Sequence, residues 1–139
     1  MHKGEPMEYD ANHTLRLSPG RVYDKTYLGG MLSRLKEMND NKDFEISPKF
    51  SSLINDNAET LPVACFTTNA ETSSGNSGSA VVNANGELIG LNFDRTAESA
   101  YSIYYSNPYS MRNIVVSIDY ILWVIRNYSP SQYVLDELQ

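Results

Sequence analysis

Cysteine and histidine are scarce in this chain: one cysteine, Cys65, and two histidines, His2 and His13, among 139 residues. A lone cysteine excludes an internal disulfide and any multi-cysteine metal site, and leaves Cys65 the role of a small buried apolar residue. With so few imidazoles, candidates for a general base are nearly absent. His2 lies at the chain start and His13 in a short alternating stretch, and both read as incidental. Basic residues are also few. Lysine and arginine total 11 against 17 acidic residues, a formal net charge of −6, and no basic run offsets it. Such a chain repels phosphate backbones, so nucleic acid is not an expected partner. No apolar run is long enough to span a bilayer. The opening Met1-His2-Lys3-Gly4-Glu5 has no apolar core of a signal peptide, so a soluble chain without an export address is expected.

What is present suits a folded domain, or a piece of one. Hydrophobic residues make up 41%, aromatic residues 11% and charged residues 20% of the chain, ordinary values for a globular protein. Thr14-Leu15-Arg16-Leu17 alternates and meets Ser18-Pro19-Gly20, which predicts a short strand and a turn, with a second strand starting at Arg21-Val22-Tyr23. Leu28, Met31, Leu32, Leu35 and Met38 recur at helical spacing. After a polar loop at 39–43, Ser47 followed by Pro48 predicts a capped helix carrying Phe50, Leu53 and Ile54. Leu61 to Thr68 is a compact apolar run that fits a buried strand.

Two strands around Asn85-Gly86 form a predicted hairpin, because that pair accepts the positive φ angles of tight turns. Ile114-Val115-Val116 predicts a last strand. Ser117 then caps a helix whose stripe is Ile118, Ile121, Leu122 and Ile125. Ser129-Pro130-Ser131-Gln132 has the spacing of a capping box for one more helix. Tyr101 to Tyr105 reads as core or edge packing, without a site role.

The chemistry sits in Gly75-Asn76-Ser77-Gly78-Ser79. A serine hydroxyl is a weak nucleophile until a base takes its proton and donors stabilise the oxyanion formed on attack. Glycines flanking Ser77 let the backbone turn sharply, so that the amides of Gly75 and Ser77 can converge on one point. The same composition also describes an ordinary surface loop. Likewise, Asp94-Arg95 on its own reads as a surface pair of little energetic weight.

The surrounding residues decide between these readings. Tyr9-Asp10-Ala11-Asn12, Thr14 to Leu17, Leu61-Pro62-Val63 with Thr67-Thr68-Asn69, Gly75 to Ser79, Gly86 to Arg95, and Val116 to Ile125 together resemble, in the same order, the C-terminal part of the bacterial chymotrypsin-like dipeptidyl peptidases of serine peptidase family 46, including the dipeptidyl-peptidase 7 and 11 groups. The resemblance implies a mainly β fold with helices, the C-terminal barrel portion of a double-barrel serine peptidase. Residues 1–60 would supply a strand and a helical segment near 27–56, residues 61–116 the nucleophile-bearing barrel strands, and residues 117–139 the terminal helices. It implies Ser77 as nucleophile, the amides of Gly75 and Ser77 as oxyanion hole, and Arg95 in a pocket for an acidic substrate side chain. A guanidinium suits that role because it pairs with a carboxylate through two parallel hydrogen bonds.

No metal or cofactor is implied, and the expected partners are peptides with a free N-terminus. The family's histidine and aspartate lie upstream, in the other half of the double barrel, so the chain is expected to be incomplete or nearly inactive alone. A serine left without its triad partners retains roughly a millionth of the rate. Expected associates are therefore that missing half or a homodimer partner, and the expected location is the periplasm or cell surface. The alternative is a catalytically silent β-rich interaction module that keeps the loop. The sequence departs from the family at Ser74, Ala80 and Thr96-Ala97, where glycine, proline and an asparagine-tryptophan pair are usual. These departures bear on the shape of the pocket more than on the nucleophile.

Overall fold

The computed structural model describes residues 15–37, 46–72, 75–100 and 112–138, without the side chains of Lys36 and Ala100. Its centre is a five-stranded antiparallel sheet with helices packed against it. In chain order the elements are β1 (Val22–Tyr27), α1 (Leu28–Glu37), α2 (Pro48–Asp56), a 3-10 turn (Ala58–Thr60), β2 (Val63–Thr68), β3 (Ala80–Val82), β4 (Leu88–Arg95), α3 (Ala97–Ala100), β5 (Asn113–Ser117), α4 (Ile118–Asn127) and α5 (Gln132–Glu137). The strand order is β1-β2-β5-β4-β3, so β5 arrives last and fills the gap between β2 and β4.

Local chemistry explains most of the boundaries. Ser47 caps α2 by accepting a hydrogen bond from the Phe50 amide at 3.2 Å, with Pro48 in the first turn as the sequence predicts. Ser117 caps α4 by accepting from the Asp119 amide at 3.2 Å. Asn83 closes the β3–β4 hairpin: its amide donates to the Glu87 carbonyl, and its side chain accepts from the amides of Asn85 and Glu87. Gly86 takes φ of 82° there, so the loop is a β-turn from Asn83 to Gly86 whose last residue is a left-handed glycine. It is one residue longer than a two-residue Asn-Gly turn.

Leu28, Leu32, Ile54, Ala64 and Trp123 form one buried cluster, so helices α1, α2 and α4 share a core with β2. Phe50 stacks edge-on against Trp123 and Tyr128, at centroid separations of 6.1 and 5.4 Å. Beside that core, Phe66 and Val115 stand opposite each other in the β2–β5 ladder, both buried.

Four expectations need correction. Residues 15–17 form no strand: Leu15 and Leu17 are 95% and 88% exposed, and among the described residues they meet no strand whose ladder could accept them. Cys65 is half-buried, because β2 alternates strictly and sets Ala64, Phe66 and Thr68 on the buried face. That alternation also makes β2 a half-buried strand where a continuous apolar run predicts burial on both faces. Helix α5 begins at Gln132, and its N-cap Ser131 makes no side-chain capping bond. The Ser129-Pro130 pair thus precedes the helix. The polar loop at 39–43, Met38, the tyrosines of 101–105, and both histidines lie outside the described residues.

Candidate active site

The segment 75–79 leads directly into β3, and β4 runs back beneath it. Gly75 and Gly78 have φ of 86° and 84°, in the left-handed region where an L side chain costs on the order of 1–2 kcal/mol. A Cβ on Gly78 would meet nothing within 4 Å. Backbone shape, not crowding, selects glycine at that point.

Between the glycines the chain makes a turn in which the Ser79 amide donates to the Asn76 carbonyl at 3.1 Å. The Gly78 amide donates to the Asn92 carbonyl at 2.7 Å, and the Asn92 amide donates to the Ser79 carbonyl at 2.9 Å. Asn92 Nδ2 adds a third bond, to the Asn76 carbonyl at 3.2 Å. The exposed Ser77 Oγ donates to the Phe93 carbonyl at 3.2 Å. While the amides of Gly78 and Ser79 are engaged, those of Gly75 and Ser77 have no hydrogen-bond acceptor among the described residues. They remain able to donate to something bound at the loop.

Phe93 is the site of a register shift. Asn92 stands opposite Val115, and Asp94, two residues on, stands opposite Ile114, so Phe93 is the extra residue of a bulge. Arg95 consequently stands opposite Asn113, on the same sheet face as Asn92. The Asp94 carboxylate accepts from the Arg95 amide at 2.7 Å, and no group among the described residues pairs with the Arg95 guanidinium. Sequence reasoning treats Asp94-Arg95 as a charge pair, whereas the carboxylate is held by backbone.

Asn113, nearly buried at 4% exposure, ties down the approach to the loop. Its Oδ1 accepts from Thr72 Oγ1 at 2.6 Å, and its Nδ2 donates to the Ala70 carbonyl. Just beyond Arg95, Ser99 accepts from the Arg112 amide at 2.6 Å and donates to the Arg112 carbonyl at 3.0 Å, while the Thr96 amide donates to that carbonyl as well.

Gly75 and Ser77 thus lie on one loop, and Arg95, whose guanidinium has no partner among the described residues, lies on the strand to which that loop is bonded. Sequence reasoning does not single out Asn92 or Asn113. The available signal is a lone amide side chain in each apolar strand, Leu88 to Leu91 before Asn92 and Ile114 to Val116 after Asn113. No histidine lies among the described residues, nor does a cluster of three or more metal-ligating side chains. No helix among them is long and apolar enough to cross a membrane.

Comparison with known proteins fits this arrangement. The Asp/Glu-specific dipeptidyl-peptidase of Porphyromonas gingivalis is 41% identical over 93% of the chain, and dipeptidyl-peptidase 7 of Capnocytophaga gingivalis is 34% identical over 93%. The chain spans about a fifth of the length of these relatives, 20% and 21% respectively. The crystal structure of Porphyromonas endodontalis DPP11 in complex with the dipeptide Arg-Asp superposes with a TM-score of 0.73 at 33% identity, covering 83% of this chain and 17% of that one. The sheet with its helices is therefore an arrangement found in a dipeptidyl peptidase. The family described as Peptidase S46 matches residues 1–139, and the chain belongs to it.

Proposed function

We propose that this chain is the nucleophile-bearing portion of a serine-type dipeptidyl aminopeptidase that prefers Asp or Glu before the cleaved bond. Ser77 Oγ attacks the scissile carbonyl, its proton passing to a histidine base that an aspartate orients, and the amides of Gly75 and Ser77 receive the oxyanion. Collapse of the tetrahedral intermediate releases the shortened peptide, and water then frees the dipeptide from Ser77. Arg95 takes the acidic side chain. The observation that carries this reading is the division of amides in the loop. Those of Gly78 and Ser79 are held, whereas those of Gly75 and Ser77 are left to donate.

In this reading the sheet is the C-terminal barrel portion of a chymotrypsin-like double barrel. Residues 1–60 supply the edge strand and helical segment, 61–116 the strands around the nucleophile, and 117–139 the closing helices. The histidine and aspartate come from another half of the enzyme, and the site needs no cofactor. Peptides with a free N-terminus are the substrates, and the work is done in the periplasm or at the cell surface.

One observation favours a second reading, a catalytically silent interaction module. The Ser77 proton is directed at the Phe93 carbonyl, a backbone acceptor that cannot take it up as a base. The test uses the enzyme assembled with its histidine- and aspartate-bearing half. A serine-directed fluorophosphonate should label it, and Ser77→Ala should remove both labelling and dipeptide release. Dipeptide release that survives Ser77→Ala would rule out Ser77 as nucleophile.

A further inference from the structure

The bonds between Asn92 and the loop fall into two kinds. Its amide and carbonyl contacts with Ser79 and Gly78 are backbone bonds that any residue at position 92 could make. The bond from Nδ2 to the Asn76 carbonyl at 3.2 Å is the one the side chain specifies. Asn92 is 8% exposed and sits within the sheet, so its carboxamide is a fixed donor and not a mobile surface group.

The position of that acceptor matters. A trans peptide is planar, with its C=O and N–H pointing in opposite directions, and no cis bond occurs here. Holding the Asn76 carbonyl therefore aims the Ser77 N–H to the other side of the same plane. That N–H is the proposed oxyanion donor. The Asn76 carbonyl also accepts from the Ser79 amide at 3.1 Å, but that bond is internal to a turn flanked by Gly75 and Gly78, so the Asn92 carboxamide is the side-chain anchor that ties this peptide to the sheet. We infer that Asn92 is a positioning residue, whose carboxamide locks the Asn76–Ser77 peptide in the orientation that presents the Ser77 amide to the oxyanion. The inference rests on the reading of Ser77 as nucleophile.

Two variants of the assembled enzyme test it. Asn92→Asp keeps the shape but places a carboxylate, which cannot donate when ionised, against the Asn76 carbonyl. Asn92→Ala removes the donor without adding charge, and both preserve the backbone bonds. The expected result is a fall in kcat of about tenfold to a hundredfold with KM little changed. Affinity for a peptide boronate, which forms a tetrahedral adduct on serine, should fall in parallel, while a dipeptide ending in Asp or Glu binds as before. The inference is overturned if both variants keep kcat and boronate affinity. It is equally overturned if dipeptide affinity and Tm fall along with kcat, since Asn92 would then only support the fold. Ser77→Ala run alongside separates the failures: if that variant retains activity the nucleophile reading falls, and if it is dead while the Asn92 variants are unaffected only the positioning role falls.

Discussion

Arg95 stands directly opposite Asn113 in the β4–β5 ladder, and Asn113 stands opposite Thr68 in the ladder on its other side. A cation with no partner among the described residues thus lies in a row beside two buried polar residues. Arg95→Gly in the assembled enzyme should lower kcat/KM for substrates with Asp or Glu before the scissile bond by about tenfold to a hundredfold, the weight of a charge-assisted pair of hydrogen bonds. Apolar residues at that position should become the better substrates. Unchanged preference across a dipeptide substrate panel would take Arg95 out of the pocket.

Gly78→Ala isolates the conformational demand of the loop, because space is open where its Cβ would go. At φ of 84° the expected destabilisation is about 1–2 kcal/mol, read as a lower midpoint in urea. A neutral result would mean that the loop relaxes to negative φ.

Asn113→Ala removes the acceptor of Thr72 and the donor to Ala70 at a buried position. Leaving the Ala70 carbonyl unsatisfied should cost about 1–3 kcal/mol. Thr72→Val, which deletes only the other end of the Thr72 bond, should cost less. Equal losses in chemical denaturation would show that the Ala70 bond contributes little.

Tyr120 lies on α4 against the core, and its burial raises the phenol above its ordinary value, which is about 10. The neutral form is favoured in the folded state. Stability is therefore full below about pH 10, and is lost as pH rises from there through the folded-state value, because the unfolded phenol ionises first. Tyr120→Phe should flatten that alkaline decline in Tm. An unchanged pH profile would show that Tyr120 is not its source.

Much of this arrangement is legible in the sequence where local rules act alone. Ser47 and Ser117 announce helix starts because a cap is satisfied by the next few amides, and Asn85-Gly86 announces a turn. The loop's glycines are readable for the same reason. What pattern cannot supply is decided across strands. The alternation of β2 separates Cys65 from Ala64 and Phe66 through pairing with β5, and exposure of Leu15 and Leu17 reflects the lack of a described ladder partner. Counting by twos along β4 sends Arg95 to the face opposite Asn92, and only the bulge at Phe93, a matter of register with β5, returns it. Asn92 and Asn113 stay hidden because their roles depend on carbonyls 16 and 43 residues away.

The bulge also makes the charge of that row a question of backbone phase. Asp94 and Arg95 are neighbours of opposite sign, and if Phe93 paired with Ile114 in a regular ladder the position opposite Asn113 would be Asp94's. A slip of a single residue would then turn a cationic row into an anionic one with no change in composition. One residue inserted between Asn92 and Asp94 with the bulge kept would in that sense act as a charge-reversal mutation, whereas deleting Phe93 would remove the bulge and leave Arg95 opposite Asn113.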